Sequence, residues 1–326
     1  HMKERDYPLD ILKSIAIVLM SSVHVNSLLQ VNSGILDKIT FLGATVCFSV
    51  FLFGIGFVAG KKITNVEKDS WKKVLHKILL IYVCYLVIGI ASYFISKGQL
   101  SFISIYNIAI LNNLPEYSEF LISLIFFTLL TQLIHKPLQK HISKPYLLIE
   151  ISILLFIVGS ILSTFELSNN LLIWLQKHLV GSQNGTHVFP ILQYMPIYVM
   201  GILFAKYRSK IVYFWVFSLS FLLLVILMAL GAPGWYRWPP SLNFLLYGVI
   251  FISLFMFAFQ FVKRNRIIDF FNKFGRNPLL SVVLITIPSF VLAYFLNTPI
   301  KSDLILWGIN LGVLLFASII LFFLKK

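Results

Sequence analysis

Charge is scarce in this chain. Asp, Glu, Lys and Arg make up 12% of its 326 residues, about half the share of an ordinary soluble domain. Hydrophobic residues make up 59% and the mean hydropathy is +0.89. These values exclude a soluble globular protein and point to an all-α, polytopic membrane bundle. No composition shift or low-complexity linker divides it, so residues 1–326 are read as a single domain, with His1-Met2 as a cloning remnant. No cleavable leader is evident, because the apolar run from Ile11 continues too far. There are two cysteines, Cys47 and Cys84, both inside apolar runs. They suit packing, offer no metal-ligand spacing, and no metal is expected. Also absent are Gly-x-Ser-x-Gly, His-Glu-x-x-His, a Walker loop and paired intramembrane carboxylates. No internal repeat is visible, where many secondary transporters show two matched halves.

Long apolar stretches are what the chain has in abundance. A membrane span needs about 20 mostly apolar residues. Ten stretches qualify: 10–30, 39–60, 75–96, 117–135, 146–165, 188–207, 212–231, 242–262, 278–297 and 303–324. The apolar segment 102–112 is too short to cross and reads as interfacial or re-entrant. With the N-terminus in the cytoplasm, alternation puts all but five of the 27 basic residues on the cytoplasmic side. The five outside are Lys38, Lys97, Lys177, Arg237 and Lys301. That asymmetry follows the positive-inside rule and predicts a plasma-membrane protein with both termini cytoplasmic. It also accounts for most of the net charge of +15 as topology and removes the case for a nucleic-acid partner.

One ionisable residue stands out. His24 lies deep in the first apolar run, and such a residue is costly unless it has a function or a packing partner. Asp10 lies fourteen residues earlier, about 21 Å along a helix, and Lys13 lies eleven earlier, near three turns, on the same face as His24. Asp10 and Lys13 form an i,i+3 pair at the helix start, where Asp10 also suits a cap.

Two clusters accompany it. Lys73, His76 and Lys77 share one face at the cytoplasmic start of the third stretch. With Lys13, Lys61 and Lys62 they suit a ligand bearing several phosphates; anionic lipid headgroups and topology account for them equally well. The outer segments 97–116, 166–187 and 232–241 are rich in amides, acids and aromatics, among them Glu116, Glu119, Trp174, His178, Trp235, Arg237 and Trp238. Such groups suit a hydroxyl-bearing acceptor such as a sugar, or an interfacial aromatic belt. Pro239 and Pro240 fix the entry of the eighth stretch beside Arg237. Phe274-Gly275-Arg276-Asn277-Pro278 reads as a turn and cap before the ninth.

The first stretch resembles that of membrane acyltransferase family 3, which O-acylates cell-envelope carbohydrates. The family runs Leu-Asp-x-x-Arg-Gly, an apolar residue and Ala, with a histidine eleven positions after the arginine. Here Leu9, Asp10, Lys13, Ser14, Ala16 and His24 align, with Lys13 in place of the arginine. Phe189-Pro190 through Met195-Pro196 to Gly201 and Lys206 is similar to the family's Pro-rich entry and Gly-containing helix, and Phe274–Pro278 to its late turn. Lys73 and His76 or Lys77 stand where the family has an arginine pair, and the late histidine common in the family is missing near Ile287. A sibling group, the transmembrane glucosamine N-acetyltransferases, is resembled through the Pro-Pro-Ser-Leu segment after Arg237 and Trp238.

The resemblance implies an acyl donor, acetyl-CoA or another acyl-CoA, on the cytoplasmic face. It implies a carbohydrate or glycan acceptor reached from outside, with O-acetylation favoured over N-acetylation. Asp10 and His24 then stand at catalytic positions, His24 as general base or transient acyl carrier. Lys13, Lys73, His76 and Lys77 hold the donor's phosphates. Trp235, Arg237, Trp238, Glu116 and Glu119 hold the acceptor. The rival expectation is a secondary transporter or flippase that uses His24 as a proton relay. The acyl group, the acceptor and the oligomeric state are not legible in the sequence.

Overall fold

The computed structural model describes residues 6–29, 34–181, 189–232, 236–263, 265–296 and 302–324. Among these the regular structure is entirely helical. In chain order the helices are α1 (Tyr7–Leu29), α2 (Gly34–Thr64), α3 (Trp71–Lys97), α4 (Phe102–Ala109), α5 (Glu119–Leu133), α6 (His135–His141) and α7 (Pro145–Leu162). There follow α8 (Asn170–Leu179), α9 (Ile191–Lys206), α10 (Lys210–Ala229), α11 (Leu242–Ala258), α12 (Arg266–Arg276), α13 (Pro278–Leu296) and α14 (Asp303–Phe323).

Each of the ten long apolar stretches read from the sequence holds a helix among the described residues. Among the described residues seven helices can cross a membrane alone by length and composition: α1, α2, α3, α7, α10, α13 and α14. An eighth is α5 with α6, if their 66° bend is one broken span, while α9 and α11 are shorter apolar helices. The chain is a polytopic membrane bundle. The expectation of ten full-length spans therefore holds for the number of apolar helices, but not for the length of each.

Within the bundle α2 is the centre. In its most apolar window 72% of residues are buried, against 11% for α10. In a membrane the drive for helix association is close packing rather than hydrophobicity, so small residues mark the seams. A side chain at Gly56 or Gly60 of α2 would strike the backbone of α9 at Tyr198 or Ile202, and one at Gly201 of α9 would strike Phe53. These glycines let α2 and α9 meet backbone to backbone. Gly43 does the same against Leu19 and Val23 of α1.

The short helices are made by their caps. Ser101 and Ser104 form a reciprocal capping box on α4, and Tyr82 and Tyr85 of α3 donate to the Ala109 and Ile108 carbonyls at its end. Phe274–Arg276, read as a turn, is instead the last turn of α12, and only Asn277 breaks the helix before α13. Gly275 is there for approach: its N–H donates to Ser14 Oγ at 2.9 Å, against the Asp10 carbonyl of α1.

Candidate functional site

Four helices turn one stripe each toward a common axis. On α1 it is Lys13, Met20, His24 and Ser27; on α2 it is Gly43, Cys47, Phe51, Gly54, Val58 and Lys62. On α5 it is Phe120, Leu124, Thr128 and Gln132. On α13 Leu279 and Val282 are followed one turn on by Thr286, which reaches His24. Steps of three, four and seven keep each set on one helical face. The stripes line two cavities, one after the other along the axis.

The first, of about 320 Å³, lies at the end where α1 begins and α2 finishes. Lys13, Lys62 and Lys77 line it with Asp69, Gln132 and His135, and its walls are otherwise largely apolar. Gly54 leaves room for the Lys13 stem, since a Cβ there would lie 3.1 Å from Lys13 Cε. The cations are balanced by acids: Lys13 lies 3.5 Å from Asp10, and Lys62 is ion-paired and hydrogen-bonded to Asp69. Partial burial would raise the Asp69 carboxyl, but Lys62, then Lys77 and Lys73, outweigh it and hold it below the ordinary carboxylate range. A neighbouring cavity shares Lys62 and Val58 and is lined by Lys61, Arg208 and Asp6. There Asp6 pairs with Arg208 and lies 3.7 Å from Lys61.

The second cavity, of about 340 Å³, surrounds His24. His24 is buried, and its Nδ1 lies 3.0 Å from the Thr286 hydroxyl. A hydroxyl can donate or accept, so Thr286 fixes the ring in either tautomer and leaves Nε2 as the nitrogen for a ligand. Tyr117 meets the imidazole edge-to-face at 4.9 Å and is backed by Phe290. Ser27 of α1 lines the cavity with it. Tyr117 holds a left-handed φ of 69°, a conformation that costs a non-glycine residue about 1–3 kcal/mol and recurs at functional sites. It turns the chain so that Glu116, Tyr117, Glu119 and Phe120 all line the cavity. Glu119 is buried and its Oε2 has no hydrogen-bond partner among the described residues.

Arg237 arrives from the loop before α11. Ser241 caps that helix by accepting from the Phe244 N–H, and its own N–H donates to the Tyr236 carbonyl. A bridge between Arg237 and Pro240 tightens the loop further. The guanidinium lies 4.3 Å from the ring centroid of Trp238 and 4.9 Å from that of Phe189, a cation–π setting. It acts electrostatically on both His24 and Glu119.

His24, Glu116, Glu119, Arg237 and Trp238 are thus brought to one cavity, and Lys13 and Lys77 to the other. Asp10 is not brought to His24: it is buried at the other end of α1, beside Lys13. Lys73 and His76 are exposed and do not line the lysine cavity, although Lys73 acts on Asp69 through its charge. Trp235 lies outside the described residues, as do Gln183, Asn184 and His187. Several outer polar residues serve structure instead. Asn169 caps α8, Gln176 donates to the Leu162 and Phe165 carbonyls, and His178 packs edge-on against Trp174. Sequence reasoning missed Thr286, because a threonine in an apolar helix is ordinarily satisfied by its own backbone.

No curated protein and no solved structure matches the chain. A family model described as an acyltransferase domain matches residues 6–324, nearly the whole length. The chain belongs to acyltransferase family 3.

Proposed function

We propose that this acyltransferase carries an acyl group, most simply acetyl, from acyl-CoA at the lysine cavity to a carbohydrate hydroxyl in the His24 cavity. The observation that carries the reading is the shared axis. Lys13 and His24 lie on one face of α1, about 16 Å apart at 1.5 Å per residue, and each lines a cavity with its own chemistry. Lysines act as point-charge ligands for phosphate, and the apolar walls between them suit an acyl-bearing arm. Amide, acid and aromatic groups suit a sugar. The basic residues gather at the lysine end, which supports a cytoplasmic position for it and an outward-facing His24 cavity in the plasma membrane.

The transfer balances without any further reactant. His24 takes the acceptor hydroxyl's proton as general base, and the oxygen attacks the thioester carbonyl. The carbon–oxygen bond forms, the carbon–sulfur bond breaks, and the proton passes to the departing sulfur, giving an ester and CoA thiol. Thr286 holds the imidazole, and Glu119 with Arg237 orients the acceptor's hydroxyls. Lys13, Lys62 and Lys77 hold the donor, while exposed Lys73 and His76 guide anions toward the mouth. Asp10 sets the Lys13 ammonium rather than touching the reacting atoms.

Purified protein in liposomes, supplied with acetyl-CoA and oligosaccharides, tests the proposal. Acceptor-dependent release of CoA thiol and an alkali-labile acetyl ester are expected. An alkali-stable amide would make a glucosamine nitrogen the acceptor. Absence of both acyl-CoA binding and thiol release would overturn the reading.

A further inference from the structure

The two cavities do not meet freely. Phe120 lines both of them and is only 5% exposed. Its ring stacks nearly parallel on Phe51, 6.2 Å between centroids and 20° between planes. Phe51 sits at the same level of the α2 stripe, one turn from Cys47 in the His24 cavity and close to Gly54 in the lysine cavity. The helical stripes run on above and below, and this aromatic pair stands where the two cavities adjoin. A stacked pair of this kind blocks water and ions but is held by dispersion alone, and one ring can turn aside.

We infer that Phe120, braced by Phe51, is the partition between the donor and acceptor cavities and selects the size of the acyl group that passes from one to the other. The inference rests on the proposed donor and acceptor cavities and adds the residue that separates them. An acyl group must slip past the Phe120 ring to reach His24, so each extra methylene meets it directly. One methylene in a shaped apolar pocket changes selectivity by about 10- to 200-fold. Phe120 is thus a specificity residue that touches the donor's acyl end, and it keeps the two sides of the bundle sealed when no acyl group is present.

The native cysteines make the seal measurable without any acyl-CoA. In a Cys84→Ser background Cys47 is the one remaining thiol of the two, and it lines the His24 cavity. A small, charged methanethiosulfonate applied to each face of a sealed membrane in turn should label Cys47 from one face only. With Phe120→Ala it should label from both faces. Phe120→Leu, which keeps more of the packing, gives the same test should the alanine protein fold poorly, with an intermediate rate from the second face. In the same proteins the kcat/KM ratio of butanoyl-CoA to acetyl-CoA should rise about tenfold or more with Phe120→Ala. Two-face labelling of the parent protein, or one-face labelling in both variants with an unchanged ratio, would overturn the inference. One-face labelling that opens in the variants, in a protein that binds no acyl-CoA, would sustain the partition and refute the donor assignment on which its acyl selectivity rests.

Discussion

The two ends of the axis solve opposite problems. At the lysine end four cations have an acid near them: Asp10 lies by Lys13, Asp69 by Lys62, and Asp6 by Arg208 and Lys61. At the His24 end the buried polar groups are less well paired, and Glu119 Oε2 and Arg237 Nε have no hydrogen-bond partner among the described residues. A buried polar atom left unsatisfied costs about 1–3 kcal/mol, so a site that keeps such atoms is built for something that pairs them. On the proposed reading the lysine end is an adaptable anion site, where a ligand's phosphates compete with carboxylates already present. At the His24 end Thr286 of α13, Tyr117 of the turn before α5 and Arg237 of the loop before α11 surround the imidazole. On the proposed reading, binding and release belong to the first region and chemistry to the second.

The largest effect should come from the His24 end. His24→Ala and His24→Gln should each lower acyl transfer per folded molecule by about 10²–10⁴-fold, the usual contribution of a general base. Glutamine retained at near-normal rate, with alanine failing through poor yield, would make His24 a packing residue.

At the lysine end the loss should take another form. Lys13→Ala with Lys77→Ala should raise the KM for acyl-CoA about tenfold or more, as expected for lost charge-assisted contacts, with kcat little changed. A fall in kcat at unchanged KM would blur the division between the two ends.

A smaller change is expected one step back from the chemistry. Thr286→Val removes the partner of His24 Nδ1 while keeping the shape. It should lower kcat several-fold and move the pH profile, and Thr286→Ser should restore both, since the hydroxyl is what positions the ring. A valine protein with the parental profile would leave Thr286 a packing residue.

Least of all should come from Asp69. Its carboxyl is held below the ordinary value, so its tie to Lys62 stabilises the fold above the unfolded carboxylate pKa near ~4 and is lost as pH falls through the lower folded value. Asp69 is half-buried with its side chain 28% exposed, and solvent screening limits such a pair to about 0–1 kcal/mol. Thermal unfolding of Asp69→Asn and parent protein should therefore differ slightly at pH 7 and converge as pH falls through the lowered carboxyl value. A gap that widens with acid would contradict this sign.

Much of this was legible in the sequence, and the rest had physical reasons to be hidden. Apolar length revealed the helices, because a membrane span must satisfy its backbone internally. The spacing of Lys13 and His24 revealed a shared face, because helical periodicity is local. What periodicity cannot carry is the meeting of distant segments: Glu119 and Arg237 reach His24 only through the fold. Asp10, on the same helix as His24, is too far along it to assist. Gly275 looked like a turn former, yet it permits α12 to touch the Asp10 carbonyl. The amphipathic α12 was too short and too charged to register among the apolar stretches. The outer amides of residues 169 and 176 suggested a sugar site, but they satisfy helix ends, where amides are equally at home.

The division between the two ends is tested most directly by acyl-CoA binding, measured calorimetrically on His24→Gln and on Lys13→Ala/Lys77→Ala beside the parent protein. The glutamine protein should bind acyl-CoA as the parent does while transferring almost nothing. The double-alanine protein should bind it about tenfold or more weakly. Binding lost in the glutamine protein and kept in the double-alanine protein would put the donor at His24, and would contradict the account.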